Sequence, residues 1–180
     1  MALVVGTLQP ARVAAQQASG HLALGAGMSY ADDDGAGLGG RGFASYLRMS
    51  WGRGRSFSLA NDLWFISIPD VPFETPPCPG PACGPVVTNY QTTALVLAPA
   101  LVARQGYEKS SLLYRLGPTA SWFVDRIDGT PAVAGGVQAG FSVLTTRRQN
   151  GMLISIDYLR MFRGGAHPRW FVPITVGWQF

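Results

Sequence analysis

Residues that could do chemistry are few in this chain. The sequence holds 2 histidines, His21 and His167. A serine hydrolase needs a serine beside a histidine that an acid orients. Two positions beyond each histidine stand Ala23 and Arg169, so neither histidine has a serine at that spacing. Asp32-Asp33-Asp34-Gly35 gathers carboxylates ahead of a glycine, which suits calcium and equally suits a solvated acidic loop. Cys78 and Cys83 close the loop sequence Cys78-Pro79-Gly80-Pro81-Ala82-Cys83, a spacing open to a disulfide in an oxidising compartment. Zinc would need two further ligands that the neighbourhood does not supply. No catalytic residue is assigned, no cofactor is expected, and the three aspartates are the only metal candidate.

The charges point elsewhere. Of 14 basic residues, Lys109 alone is lysine, and charged residues make up 13% of the chain against about 25% in soluble domains. Hydrophobic residues reach 47% and glycines number 23. Disorder and coiled coil are excluded, and the surface is not one built for water. The sequence pI of about 9.4 raises nucleic acid as a partner, yet the arginines are scattered and form no basic stripe with stacking aromatics; no nucleic-acid binding is expected. A spanning helix needs roughly 20 mainly apolar residues. The longest uncharged run, Thr75 to Ala103, is broken by Pro76, Pro77, Pro79, Pro81, Pro85 and Pro99. A membrane barrel remains open, since it crosses with strands.

A length of 180 residues fits one domain. Residues 1–15 read as a truncated signal peptide, with Val13-Ala14-Ala15 before Gln16 as the small-residue cleavage site. The barrel domain is expected over residues 20–180.

What positions the charged residues is a period of two. Trp170, Val172, Ile174, Val176, Trp178 and Phe180 alternate with Phe171, Pro173, Thr175, Gly177 and Gln179. Met152, Ile154, Ile156 and Tyr158 alternate with Leu153, Ser155, Asp157 and Leu159. Similar alternation runs through Leu22–Tyr30, Leu112–Asp125 and Val133–Val143. Phe43–Trp51 and Phe57–Ile66 follow it with interruptions at Ser45 and Asn61. Thr92–Arg104 is apolar on both faces, and Pro99 costs a ladder bond unless a bulge absorbs it. The count is eight strands, joined by connections of about 12, 4, 24, 6, 6, 5 and 7 residues. Asn150-Gly151 signals a tight hairpin. Long and short connections tend to alternate, as in transmembrane barrels with tight periplasmic turns and longer outer loops.

The pattern from Gly20 to Phe180 resembles the small eight-stranded outer-membrane barrels of diderm bacteria. Its most specific part is the end, Ile174-Thr175-Val176-Gly177-Trp178-Gln179-Phe180. The resemblance implies that Ile174, Val176, Trp178 and Phe180 are what the barrel-assembly machinery reads. The expected fold is therefore all-β, an eight-stranded antiparallel up-and-down transmembrane barrel, monomeric, in the bacterial outer membrane. Its partners are outer-membrane lipid and lipopolysaccharide, with Arg126, Arg160, Arg163 and Arg169 near the outer rim as phosphate contacts. Trp and Tyr residues fall near segment ends where girdles form, except Trp64, which has interior parity.

In such a barrel the smaller, more polar parity faces a lumen only wide enough for side chains. Arg48, Asp62, Arg104, Arg115, Asp125, Gln138 and Asp157 are the expected lumen network, Arg48 or Arg115 pairing with Asp62 or Asp157 because unpaired charges there are costly. The function expected is a structural or surface-interaction barrel rather than a diffusion porin, its loops, chiefly Ile68 to Gln91, contacting something outside. A soluble lipocalin-like barrel with a small apolar ligand inverts the same alternation. A lipid A deacylase or acyltransferase is the third reading.

Overall fold

Strict alternation satisfies a strand only when its two faces meet different media. A sheet closed on itself supplies that difference and leaves no edge unpaired. The computed structural model describes residues 19–33, 37–52, 56–74, 87–107, 109–124, 133–146, 150–162 and 169–180. The regular elements are β1 (Ser19–Asp33), β2 (Gly37–Gly52), β3 (Phe57–Glu74), β4 (Val87–Gly106), β5 (Ser111–Phe123), β6 (Val133–Leu144), β7 (Gly151–Phe162) and β8 (Trp170–Gln179). They form a closed barrel in chain order, every neighbouring pair antiparallel, with β8 returning to pair β1 from Ala23↔Gln179 to Ala31↔Phe171. One end of the barrel carries the start of β1 and the end of β8; it is called the near end below.

The greasy stripes face outward. On β5, Leu116 is 66% exposed and the preceding Arg115 is 3% exposed. Leu24, Met28, Leu59, Leu101, Ile156 and Val176 are likewise exposed, whereas Arg48, Asp62, Gln138 and Asp157 are buried. A soluble lipocalin-like barrel is thereby overturned: its apolar stripes would converge on the centre. Here they form a continuous outer belt of the kind that contacts hydrocarbon. Strand β4 is apolar on both faces because its lumen side carries Ala94, Val96, Ala98, Ala100 and Val102, small residues that leave room for Trp64 and the arginines. Trp64 is fully buried and faces the lumen.

Pairing runs further than the sequence pattern indicates. The β1–β2 ladder continues through a bulge to Asp32↔Leu38 and Asp33↔Gly37, so Asp32 and Asp33 belong to a strand rather than to a 12-residue loop, and only 34–36 connect. Asp34 lies outside the described residues, and among those described no cluster of three or more metal-ligating side chains forms. The 68–91 segment is also mostly paired. After an irregularity between Ile68 and Val71, β3 and β4 continue together to Glu74↔Val87, which shortens the expected 24-residue loop to 75–86. Proline and aspartate in this stretch look like loop residues, but a two-stranded ribbon beyond the barrel accepts them because its outer edges need not pair.

At the near end Gly151 is already in β7, paired with Gln179. The Asn150 carbonyl accepts a bond from Thr146 Oγ1 at 2.6 Å, and Thr145 N donates to Met152 O at 2.9 Å. The turn is thus the wider 145–150 connection, not a two-residue hairpin at Asn150-Gly151. Pro99 is accommodated without a bulge: the β4–β5 register is the same on both sides, Leu97↔Ala120 and Leu101↔Leu116.

Candidate functional site: a charge cluster across the lumen

Strand pairing dictates which lumen charges meet. Arg48 and Asp62 stand on one rung of β2–β3, and the guanidinium lies flat against the carboxylate, Nε to Oδ1 at 2.6 Å and Nη2 to Oδ2 at 2.7 Å. This fork geometry is the strong form of the interaction. Arg115 and Asp157 are two strands apart, on β5 and β7. Between them Gly140 of β6 pairs with both. Arg115 Nη2 reaches Asp157 Oδ1 at 2.7 Å and Oδ2 at 2.8 Å across the space a side chain at 140 would occupy. A Cβ on Gly140 would collide with Asp157 Oδ1 and lie 2.8 Å from Arg115 Nη2.

The two pairs are joined. Arg115 Nε lies 3.8 Å from Asp62 Oδ2, so the charges alternate in sign across the barrel. Arg115 Nη1 donates to Ser142 Oγ at 2.6 Å, and the Ser142 and Ser155 hydroxyls are 2.6 Å apart. Tyr46 covers the cluster from one side, its ring 4.7 Å from Arg48 Cζ and 5.0 Å from the Trp64 ring. Gly25 leaves space for that ring, since a Cβ there would come within 2.7 Å of Tyr46 Cζ. Two guanidinium and two carboxylate groups, all buried, neutralise one another and fill the cross-section.

Apolar tiers lie on either side. Ile66, Ile68, Phe123, Leu159, Met161 and Phe171 are buried toward the far end; Val102, Leu113, Leu144 and Leu153 are buried toward the near end. Chemically the arrangement is a plug: its charged groups bond one another, Arg48 Nη1 being the one guanidinium nitrogen of the cluster without a partner, and a passing ion would have to break a buried pair.

The remaining site residues fall as follows. Gln138 is buried and donates Nε2 to the Ala98 carbonyl at 3.3 Å. Arg104 departs from the expected single network. It is half-buried at the near end, opposite Leu113 rather than Arg115, and donates to Ser111 Oγ at 2.9 Å; strand tilt sets it at a different level. Asp125, Cys78, Cys83, His167, Arg126 and Arg163 lie outside the described residues, as do residues 1–15. His21 stands opposite Ser50 on the β1–β2 ladder, with no hydrogen bond between their side chains. Sequence parity marked Ser142, Ser155 and Gly140 as inward, but nothing in it identified them as the groups that hold Arg115 and Asp157.

The outer surface adds a second set. Ile174, Val176, Trp178 and Phe180 face outward on the closing strand, and Phe180 N donates to Leu22 O at 2.8 Å. Arg160 is exposed between Val137 on β6 and Trp170 on β8, with Tyr158 6.3 Å from Trp170. Arg41, which sequence reading passed over, is exposed beside Tyr30. Both lie toward the far end of one wall, β7–β8–β1–β2. Arg169 is exposed at the start of the same wall.

No family model matches the sequence, and no curated protein matches it. Solved structures do. The outer membrane protein OprG from Pseudomonas aeruginosa superposes with TM-score 0.54 at 14% identity, covering 91% of this chain and 97% of OprG. Neisserial surface protein A gives 0.53 at 12% identity, with 90% and 97% covered. Ail, the attachment invasion locus protein of Yersinia pestis, in complex with the heparin analogue sucrose octasulfate, gives 0.52 at 14% identity, with 91% and 99% covered. At these identities the likeness establishes the fold, that of the small eight-stranded outer-membrane barrels.

Proposed function

We propose that the chain is a monomeric outer-membrane barrel with a structural or surface-interaction role, and that it is not a diffusion porin. The observation that carries this reading is the buried Arg48–Asp62–Arg115–Asp157 cluster, which occupies the middle of the lumen between apolar tiers. The outer location is supported by the apolar belt and by the likeness to OprG, Ail and Neisserial surface protein A. On this reading the near end is periplasmic, residues 1–15 direct export, the face Ile174, Val176, Trp178 and Phe180 is presented to the barrel-assembly machinery, and any Cys78–Cys83 disulfide belongs to an outer loop. Planar-bilayer recordings of the refolded protein test it. The expected result is no stable unitary conductance of porin size, and a large steady channel would refute the plugged reading.

The partner we propose at the outer rim is lipopolysaccharide, through Arg160, Arg169 and Arg41, with Arg126 and Arg163 from the adjoining connections. Arginine forks suit phosphate, and an Arg among Val137, Trp170 and Tyr158 is tolerated where anionic headgroups begin. Ail is known in complex with a polysulfated sugar analogue, a polyanion of comparable chemistry. Exchanging Arg41, Arg160 and Arg169 for glutamine is expected to weaken retention of lipid A on the purified barrel. The same preparation is expected to leave lipid A acyl chains untouched; deacylation or acyl transfer would replace this reading with an enzymatic one.

A further inference from the structure

The β4–β5 seam lacks one rung, in the middle of the apolar belt. Val124 N donates to Thr93 O at 3.0 Å, and in an antiparallel ladder every second pair from there exchanges hydrogen bonds. Leu97↔Ala120 and Leu101↔Leu116 are such pairs. The pair between them is Pro99 with Pro118, and neither proline has an N–H. Both bonds of that rung are therefore missing, and two main-chain carbonyls have no ladder donor. Next to them on β3, opposite Pro99, is Asn61. Its amide is on the outward parity, and its Oδ1 is buried without a hydrogen-bond partner.

These groups share a groove of about 620 Å³ on the outer wall, lined by Trp51, Leu59, Asn61, Leu101, Leu116 and Pro118. The groove does not lead inward. Ala60 and Ala100 are buried behind it, and Gly117 lets β4 and β5 stay close, since a Cβ there would strike the Pro99 carbonyl and lie 2.8 Å from Ala100 Cα. It is a recess in the wall rather than an opening.

From this geometry we infer that the recess binds a bilayer-dissolved hydrophobe carrying a hydroxyl, its apolar body along Trp51, Leu59 and Leu116 and its O–H donated to Asn61 Oδ1, which is covered in the structure and meets the ligand when the amide turns outward. The chemistry selects that class. Hydrocarbon holds no water to satisfy an exposed acceptor, and acyl chains have no donor. The floor of the recess is short of donors, because two ladder N–H groups have been deleted and the covered Asn61 Oδ1 has no partner. A molecule with a long apolar body and one donor supplies the Asn61 oxygen, and a donor-free molecule of equal length fills the groove without doing so.

The test is an amide NMR titration of the full chain in lipid nanodiscs with 1-dodecanol and, separately, with dodecyl methyl ether. The alcohol is expected to shift the Asn61 side-chain amide and the Leu101 and Leu116 backbone amides saturably, and to bind about fivefold more tightly than the ether. Asn61→Leu is expected to abolish that preference while amide dispersion and heat-modifiable gel migration stay those of a folded barrel. Pro118→Val, which returns an N–H to the Pro99 carbonyl, is expected to reduce it. Equal binding of alcohol and ether, unchanged preference in Asn61→Leu, shifts spread evenly around the belt, or shifts that follow protein concentration alone, as for contact with a second copy, would each overturn the inference.

Discussion

The centre of the lumen and the belt directly outside it lie at the same height, one residue apart along each strand, yet their chemistry is opposite. Arg115 is buried and bonded to Asp157 at 2.7 Å, whereas its neighbour Leu116 lies 66% exposed on the outer face. Neither location offers bulk water. What separates them is partnership: inside, each buried charge has an opposite charge within reach, and Arg115 has a serine as well, whereas outside only acyl chains are. The barrel wall sorts side chains by whether they can be paired, not by distance from solvent.

Four single substitutions and one double variant break or sharpen that contrast. The largest effect is expected from Asp62→Ala, which leaves Arg48 buried without its counter-ion and should cost about 3–5 kcal/mol in urea unfolding of the refolded barrel. The double replacement Arg48→Met with Asp62→Leu should recover most of that loss, and a double variant as unstable as the single one would show that the pair itself stabilises the fold. Next, Leu116→Arg places an unpaired cation on the outer face and should cost about 2–4 kcal/mol by the same measurement, while Val124→Arg, at the far end of the barrel, should cost about 0–1 kcal/mol. Equal costs at both positions would mean that the belt is not graded by depth. Inside the lumen a smaller effect is expected from Gly140→Ala. Its Cβ would push Arg115 away from Asp157 and should lower stability by about 1–3 kcal/mol, and retained stability would show that the pair re-forms around a methyl group.

Facing was legible in the sequence, and so was the set of charges that would pair, but not which cation meets which anion. Strand β7 alternates without exception because each of its residues meets either lumen or lipid, and the residue types record which. The same parity set Arg48, Asp62, Arg115 and Asp157 inward. That Arg48 meets Asp62 across one rung, and Arg115 meets Asp157 over an intervening glycine, depends on register and tilt, which a period of two does not encode. Arg104 illustrates the limit: it has the right parity and the wrong level. The ends of β1, β3 and β4 were misread for a different reason. Asp32, Asp33 and the residues around Pro72 carry turn chemistry, and main-chain pairing with Gly37, Leu38 and Asn89 draws them into ladders regardless.

The closing seam has a consequence for biogenesis. Ala23 pairs with Gln179, and Phe180 reaches back to Leu22, so the last hydrogen bonds join opposite ends of the described chain. Contacts of such sequence separation carry the highest loop-closure entropy and form slowly. The cylinder therefore cannot close before β8 exists, and until then β1 and β7 both present open edges.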